Sequence, residues 1–346
     1  MNNQVGMAVV GLGIWGQNHA LVYSDYHRSK LVAVCDANED RAKEYGISYG
    51  CHYTASVEEL AADSRIAAVS IATPDFAHFD VALKLIRAGK HVLIEKPLTT
   101  SVRESKILVE EARRAGVKLM VDFQNRWNPS YGVIKHAVMD GNFGKPVMGY
   151  IRLSNAIQVA LEWLPWAARS GPQWFLLPHT MDLMTWFFDA KPVRVHAFGS
   201  RGVLSAKGVD TFDAIQAQVL YDNGAFATFE SSWIVPNGAP SVIDTQMGLY
   251  GSSGRIEFDQ DFTGVEITGQ TKLSYPWLPV GERNIFGKLD GWIYEPMRHF
   301  VDCVADDIQP AATGVEGLLN VAMIEGVLRS IECGHSIELK DVMGEV

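Results

Sequence analysis

The sequence is poor in cysteine and lacks any cysteine pattern that would build a disulfide frame or a metal site. Its four cysteines, Cys35, Cys51, Cys303 and Cys333, are scattered, and none stands in a Cys-x-x-Cys spacing. Small disulfide-rich folds and structural zinc sites both need closely spaced cysteines. We therefore expect reduced thiols in a cytoplasmic protein, and we predict no metal.

Long apolar runs and blocks of like charge are also missing. The N-terminal run Val5–Val10 is too short to span a membrane, and no basic segment precedes it. The formal net charge is -10 and the pI is near 5.5, which argues against a nucleic acid or an anionic membrane as partner. We expect a small-molecule ligand instead.

The length of the chain indicates more than one domain. With 346 residues, 47% of them hydrophobic and 20% charged, the sequence has an ordinary globular composition and exceeds one comfortable core. We predict two domains, residues 1–123 and 124–346.

A glycine-rich turn follows the first predicted strand. Val5–Val10 reads as a buried strand and leads into Gly-x-Gly-x-x-Gly and then into a helical segment, which is the context that a dinucleotide-binding turn requires. The first glycine permits the turn, the second lets the backbone approach a pyrophosphate, and the third lets the helix pack closely. The predicted cofactor contacts are Gly11, Gly13, Ile14, Trp15 and Gly16.

An aspartate ends the second predicted strand. Leu31–Cys35 is followed by Asp36, about 20 residues beyond the glycines, where a dinucleotide fold places an acid on the adenosine ribose. A carboxylate there repels a 2′-phosphate, so we predict NAD rather than NADP. Arg41 is the one nearby cation that argues the other way.

A lysine stands at the end of a later strand. The apolar run Val92–Ile94 delivers Glu95 and Lys96 and then stops at Pro97, which holds Lys96 extended. The predicted strands alternate with helices, which indicates a doubly wound parallel sheet, and such sheets bind ligands at the carboxyl ends of their strands. Lys96 is therefore a candidate for chemistry.

These motifs and their spacing resemble the Gfo/Idh/MocA family, named partly after glucose–fructose oxidoreductase and inositol dehydrogenase. The resemblance rests on Gly11–Gly16, Asp36, Ile71–Pro74 with His78, and Ala88–Pro97. It implies a Rossmann domain followed by an α+β domain with an open-faced, largely antiparallel sheet. Relatives commonly cover that sheet by pairing subunits, so a homodimer or homotetramer is expected.

The resemblance also implies roles for individual residues. Thr73, Pro74 and His78 would lie along the cofactor, and Glu95 would contact its ribose or nicotinamide region. Lys96 would reach the reacting hydroxyl or carbonyl, and the Lys96–Pro97 bond is often cis in relatives.

The second half of the chain reads as strands joined by tight turns. Asp222–Gly224 and Gly251–Gly254 each predict a hairpin between two apolar strands, which favours an antiparallel sheet. Beyond it, Pro178 suits the first turn of a helix, and a histidine beside it, His179, would be held neutral near a helix N-terminus and able to accept a proton. A purely structural His179, bonded to Asp182, is the alternative.

Two positions depart from the family pattern. Relatives carry an aspartate, then a histidine four residues on, then another aspartate, and this chain matches the last two at His179 and Asp182 but has Phe175 at the first. Relatives also usually have glycine where this chain has Asp122. We hypothesise that Asp122 replaces the missing carboxylate near Lys96, although a capping role would explain it equally.

The remaining substrate candidates are aromatic and basic. Trp166 and Trp174, with Trp163, could pack on the apolar face of a sugar or could belong to a core or subunit interface. Arg126 and Arg169 could bind a phosphate or carboxylate of the substrate, or could serve surface or domain packing.

Taken with the resemblance, these residues predict an NAD-dependent dehydrogenase acting on a hydroxyl of a sugar, inositol or related polyol. His179 is predicted as the acid/base, and Lys96 as the residue that hydrogen-bonds the reacting oxygen. Two alternatives stay open: a redox-neutral glycosidase or epimerase that uses bound NAD, and a non-catalytic regulator that senses the dinucleotide.

Overall fold

The computed structural model describes residues 4–141, 143–259, 267–268, 273–274, 283–285 and 288–344. The chain divides into two compact units. Unit 1 comprises Met1–Trp127 and Val280–Val321, and unit 2 comprises Asn128–Pro279 and Ala322–Val346.

Unit 1 is built on a six-stranded sheet in which every neighbouring pair is parallel. The strand order is β3-β2-β1-β4-β5-β6, so the order reverses between β1 and β4, and the predicted doubly wound fold is confirmed. The strands are β1 Val5–Val10, β2 Ser29–Cys35, β3 His52–Thr54, β4 Ala68–Ile71, β5 His91–Glu95 and β6 Leu119–Asp122. The helices between them are α1 Ile14–Asp25, α2 Glu39–Tyr49, α3 Val57–Ala62, α4 His78–Arg87 and α5 Val102–Ala115.

Local capping explains where several of these helices begin and end. The side chain of Ser101 accepts a hydrogen bond from the Glu104 backbone at the start of α5, and Gly116 ends that helix in the left-handed conformation. Asn38 and Gly50 do the same for α2. Such residues satisfy backbone groups that a helix end leaves without partners.

The segment Val280–Val321 packs with the first unit although it lies far along the chain. Its helix α9, Glu295–Ala305, contributes Met297, Phe300 and Val301 to the core cluster that also contains residues of β1, β5 and β6. Arg28 Nη1 donates to Asp302 Oδ1 at 2.7 Å across the same contact. The predicted boundary after residue 123 assigned this segment to the second domain, whereas in the structure the apolar face of α9 is buried in unit 1.

Unit 2 is built on a seven-stranded sheet with the order β12-β11-β7-β10-β9-β8-β17. Only the β7–β10 pair among these neighbours is parallel, so the largely antiparallel sheet is confirmed. Its strands are β7 Pro146–Ala156, β8 Pro192–Ser200, β9 Ala214–Tyr221, β10 Phe226–Val235, β11 Ile243–Gly251, β12 Arg255–Asp259 and β17 Ile337–Glu338. Both predicted hairpins are present, joining β9 to β10 and β11 to β12.

Helices cover one face of this sheet. They are α6 Pro129–Met139, α7 Pro172–Phe175, α8 Leu177–Phe188 and α11 Leu339–Gly344, while α10, Gly314–Cys333, begins in the unit 1 segment and ends in unit 2. On β7, a Cβ added at Gly149 would lie 2.9 Å from Met184 Sδ, which shows how closely α8 packs.

Four short strands complete the described secondary structure: β13 Ile267–Thr268, β14 Leu273–Ser274, β15 Arg283–Ile285 and β16 Lys288–Asp290. Among the described residues, none of the helices combines the length and the apolarity needed to cross a membrane.

Candidate functional site

The turn between β1 and α1 can only be made by glycine at two positions. Gly11 has a φ of 87°, and a Cβ added there would lie 2.7 Å from the carbonyl oxygen of Ala72. A Cβ at Gly16 would lie 1.7 Å from the carbonyl oxygen of Gly11. A Cβ at Gly13, in contrast, would meet nothing within 4 Å. The fold itself thus requires the first and third glycines, while the second leaves open space in front of the backbone.

The open space at Gly13 lies at the start of α1, which is suited to an anion. Gly13 is the N-cap, no side chain caps the helix, and its first turn contains no acidic residue. The first N–H groups of a helix and its dipole favour phosphate. The side chain of Ile14, the first helical residue, is 65% exposed although it is apolar. These observations fit a bound dinucleotide.

Asp36 is held in position at the end of β2. Its carboxylate accepts hydrogen bonds from the backbone N–H of Leu12 at 2.7 Å and of Asn38 at 2.8 Å, and it is nearly buried. Arg41 Nη1 lies 3.5 Å from Asp36 Oδ2, so the cation faces the carboxylate. The acid thus links the glycine turn to the second strand, where a ribose hydroxyl would be expected.

The segment after β4 contains the next predicted cofactor residues. The hydroxyl of Thr73 is buried and has no hydrogen-bond partner among the described residues. The ring of His78 is fully buried, with Nδ1 2.8 Å from the carbonyl oxygen of Pro97 and Nε2 3.0 Å from that of Thr73. Burial lowers the pKa of this imidazole. These contacts support a role for His78 in joining the segment that contains Thr73 and Pro74 to the segment that contains Pro97, and its direct contact with a cofactor stays a prediction.

Lys96 follows the last residue of β5 and is only 9% exposed. The Lys96–Pro97 bond is cis. Burial lowers the pKa of the Lys96 ammonium, and the charges of Glu95, Asp75 and Asp122 act in the opposite direction. A nearly buried amine of this kind is easier to deprotonate than an exposed lysine, which suits it to bind or deprotonate a hydroxyl.

Three further side chains meet beside Lys96. Glu95 and Asp122 are paired residues at the ends of β5 and β6, and His19 reaches them from α1. Sequence reasoning placed Asp122 near Lys96, and the charge of each group acts on the pKa of the other. It missed His19, a buried residue of α1 that no pattern in the local sequence marks.

The same three residues could in principle hold a metal ion. The ligand atoms of His19, Glu95 and Asp122 all lie within 4.8 Å of one another. However, His19 Nε2 is 3.2 Å from Glu95 Oε1, which is hydrogen-bonding distance, and the Lys96 charge is adjacent. A proton satisfies this arrangement without a cation, so we do not assign a metal site.

Arg126 is held by neighbours within unit 1. Its side chain is 6% exposed, and Nη1 donates to Ala311 O and to Glu316 Oε1, both at 2.7 Å. These contacts support the packing alternative for Arg126, and a substrate contact stays a prediction.

In unit 2, the predicted helix start is found. Pro178 lies in the first turn of α8, and His179 and Asp182 follow on that helix. The side chain of His179 is partly exposed and Asp182 is buried. His179 is thus partly exposed although its Nδ1 is buried, and its role as the acid/base stays a prediction.

Phe175 lies among aromatic rings instead of in a polar setting. Its ring centroid is 6.2 Å from Trp166 and 5.5 Å from Trp233, within an apolar cluster of unit 2. Trp174 is nearly buried, whereas Trp163 and Arg169 are exposed. The packing alternative is therefore supported for Trp174, and the half-buried Trp166 and Phe175 remain candidates for one edge of a sugar site.

Comparisons with known proteins give a consistent result. A model described as "Oxidoreductase family, NAD-binding Rossmann fold" matches residues 5–123, and one described as "GFO/IDH/MocA C-terminal domain" matches residues 131–257. The scyllo-inositol 2-dehydrogenase (NAD(+)) of Bacillus subtilis is 27% identical over 98% of this chain and 97% of its own length. The D-apiose dehydrogenase of Paraburkholderia graminis is 23% identical over 98% of this chain and 90% of its own.

The fold is also shared with solved structures. GenD2 from gentamicin A biosynthesis, solved in complex with NAD, superposes with a TM-score of 0.84 at 24% identity, covering 97% of this chain and 96% of its own. At this identity the likeness establishes the fold alone.

Proposed function

Because the chain belongs to the Gfo/Idh/MocA family of NAD-binding oxidoreductases, we propose that it is an NAD-dependent dehydrogenase that oxidises a hydroxyl of a sugar, inositol or related polyol. The observation on which this rests is the nearly buried Lys96 at the carboxyl end of β5, on the same sheet as the glycine turn and Asp36. Relatives named as inositol and sugar dehydrogenases support the substrate class.

The cofactor would lie along the carboxyl edge of the unit 1 sheet. The backbone at Gly13 and the start of α1 would hold its pyrophosphate, and Asp36 its adenosine ribose. Bound there, NAD supplies the acceptor for the hydride that leaves the substrate carbon. Asp36 favours NAD over NADP because its carboxylate would repel a 2′-phosphate.

Lys96 would bind the oxygen at which the reaction occurs. Its ammonium can donate a hydrogen bond to a hydroxyl or to the carbonyl that forms from it, and its neutral amine can accept the hydroxyl proton. Burial brings the neutral form within reach, because it lowers the pKa of the amine. The carboxylates of Glu95, Asp75 and Asp122 limit this effect.

His179 is proposed as the acid/base from unit 2. Its place in the first turn of α8 and its partial exposure support that role. Asp122 is proposed to supply, beside Lys96, the carboxylate that relatives have at the position of Phe175. The charge interaction between Asp122 and Lys96 supports this second proposal.

A screen of sugars, inositols and their phosphates with NAD tests the proposal, with NADH formation as the readout. We expect stoichiometric NADH with one class of polyol, and loss of most turnover in His179→Asn. Product without NADH would instead favour the redox-neutral alternative. Tight NAD binding with no product from any polyol would favour the regulator.

We also propose that the protein acts in the cytoplasm as a homodimer or homotetramer formed through the unit 2 sheet. On the face opposite α8, Phe198 and Phe226 are 67% and 41% exposed, and the paired Gln216 and Gln218 are exposed as well. Open sheet faces that expose aromatic side chains are commonly covered by another copy of the chain. Light scattering should give a mass of two or four chains, and Phe226→Lys should lower it. A monomer at micromolar concentration would contradict the proposal.

A further inference from the structure

Two carboxylates face each other at the ends of neighbouring strands in unit 1. Glu95 on β5 and Asp122 on β6 are in-register partners, so their side chains leave the same face of the sheet. Glu95 is 7% exposed and Asp122 is 1% exposed. Two like charges in this position repel each other strongly, because little water screens them, and buried carboxyl pairs elsewhere commonly share a proton.

The hydrogen bonds among the described residues leave Asp122 unsatisfied. His19 is fully buried, and its Nε2 lies 3.2 Å from Glu95 Oε1 and 3.6 Å from Asp122 Oδ2. Neither oxygen of Asp122 has a hydrogen-bond partner among the described residues. An ionised carboxylate can only accept hydrogen bonds, so an ionised Asp122 would be buried with its oxygens unsatisfied.

The charged and polar groups described around the pair come from several elements. Tyr23 faces the pair from α1, and its hydroxyl is hydrogen-bonded to that of Ser70. Lys96 lies at the end of β5, and the charge of Asp75, in the segment after β4, acts on Lys96. His78 interacts with Glu95 and Asp75 from the start of α4, and α9 contributes apolar side chains to the core cluster that contains Met120 of β6. Burial, and then the charge of Glu95, raise the pKa of the Asp122 carboxyl, while Lys96 lowers it.

We propose that Glu95 and Asp122 hold one proton between them, that the Nε2–H of His19 fixes the pair, and that this proton sets the charge that Lys96 experiences. With the proton in place the pair has one negative charge, and the neutral amine of Lys96 is accessible. Without it the pair has two negative charges and holds Lys96 as the ammonium. Asp122 and His19 are thus positioning residues that act through Lys96, and this consequence rests on the proposed function.

The proton itself can be tested without any substrate. Infrared difference spectra between the wild type and Asp122→Asn, recorded at neutral pH, should show the carbonyl stretch of a protonated carboxyl in the wild type only. Asp122→Gly is the second variant should the asparagine not fold. Tyr23→Phe is the matched control: it removes a buried hydroxyl one turn along α1, and the band should remain.

Two results would overturn the shared proton. One is the absence of a protonated carboxyl band from the folded wild type at every pH above 6, far above the usual aspartate pKa of about 3.9. The other is a stoichiometric transition metal in the purified protein that His19→Gln removes, since the three residues would then be ligands.

The effect on Lys96 is read from the pH profile of kcat/KM. In Asp122→Asn the pair is fixed at one negative charge. At pH values where the wild-type pair has lost its proton, the acid limb of the variant should therefore lie about one pH unit below that of the wild type. His19→Gln keeps an N–H donor at the Nε2 position and should retain the wild-type profile, whereas His19→Leu should not. An unchanged limb in Asp122→Asn, at pH values where the infrared band of the wild type has already disappeared, would refute the control of Lys96 alone. Failure of the polyol screen would leave the infrared result decisive for the proton.

Discussion

The carboxyl end of β6 and the segment before α8 depart from the family pattern in opposite directions. Asp122 places a carboxylate, nearly without exposure, beside Lys96 in unit 1 where relatives usually have glycine. Phe175 places a ring between Trp166 and Trp233 in unit 2 where relatives have an aspartate. One region has gained a buried ionisable group and the other has lost one.

The two residues also differ in their surroundings. In unit 1 the new carboxylate is accommodated by His19, Glu95 and Lys96, each of which can share or balance its charge. In unit 2 the surroundings of Phe175 are apolar, so a carboxylate there would have to be desolvated. Whether one carboxylate replaces the other stays a hypothesis.

The largest effect is expected from Lys96→Met. This change removes the amine whose charge Asp122 is proposed to control. Turnover should fall about 10²–10⁴-fold, the range for loss of a positioned proton-transfer group. NAD binding, measured by calorimetry, should persist because the glycine turn and Asp36 are untouched. Lys84→Met, at an exposed lysine paired with Glu58, is the control. Turnover near that of the wild type in folded Lys96→Met protein would refute the assignment.

Restoring the family residue in unit 2 should cost stability. Phe175→Asp is expected to lower the free energy of unfolding by about 3 kcal/mol, because it removes aromatic packing and places a carboxyl in an apolar cluster. Urea denaturation measures this change, and Phe175→Leu should lose less. If Phe175→Asp also restores turnover to Asp122→Gly, the exchange is supported. If the double variant is no more active than Asp122→Gly, a carboxylate at residue 175 does not replace the one at residue 122.

Cofactor choice should depend on Asp36 and not on the regions that differ from relatives. Asp36→Ala is expected to weaken NAD binding about 10-fold and to narrow the preference against NADP, since the carboxylate that contacts the ribose is lost. Binding constants for both dinucleotides provide the measurement. Asp122→Asn should leave both constants unchanged. An equal loss in the two variants would mean that the cluster at β6 also contacts the cofactor.

The smallest effect is a change in how stability depends on pH. The pKa of Asp122 is raised in the folded state, so folding takes up a proton there, and the stabilisation present below about pH 4 is lost as pH rises toward the folded pKa. The loss is about 1.4 kcal/mol for each unit by which the two pKa values differ. The free energy of unfolding of Asp122→Asn should therefore depend less on pH than that of the wild type, in unfolding curves recorded between pH 5 and 8. The same pH dependence in both proteins would show that the pKa of Asp122 is not raised.

Features of the site that depend on local sequence were predictable. The glycine turn, Asp36 and the lysine after β5 each lie at a strand end that the apolar pattern marks, and the structure places them at one edge of the sheet. Helix α4 begins only at His78, because a 3-10 turn, Asp75–Ala77, follows Pro74. The helix Glu39–Tyr49 was not predicted, since Ala42 and Gly46 are its only buried residues.

What escaped prediction depends on contacts between distant segments. His19 becomes informative only once the register pairs Glu95 with Asp122, which no local pattern specifies. The apolar setting of Phe175 depends on Trp233, far along the chain. The return of α9 to unit 1 likewise follows from the match between two apolar surfaces and from no boundary signal in the sequence.

The contrast between Gly13 and Gly16 separates two requirements that a motif normally merges. A methyl group at Gly16 would collide with backbone, whereas one at Gly13 would meet only open space in the protein. A Gly13→Ala chain should therefore keep its shape and its ability to assemble while excluding the dinucleotide. In the proposed oligomer, mixed with normal chains, it would act as a silent subunit, and the activity of such mixtures would show whether each active site works independently of its neighbours.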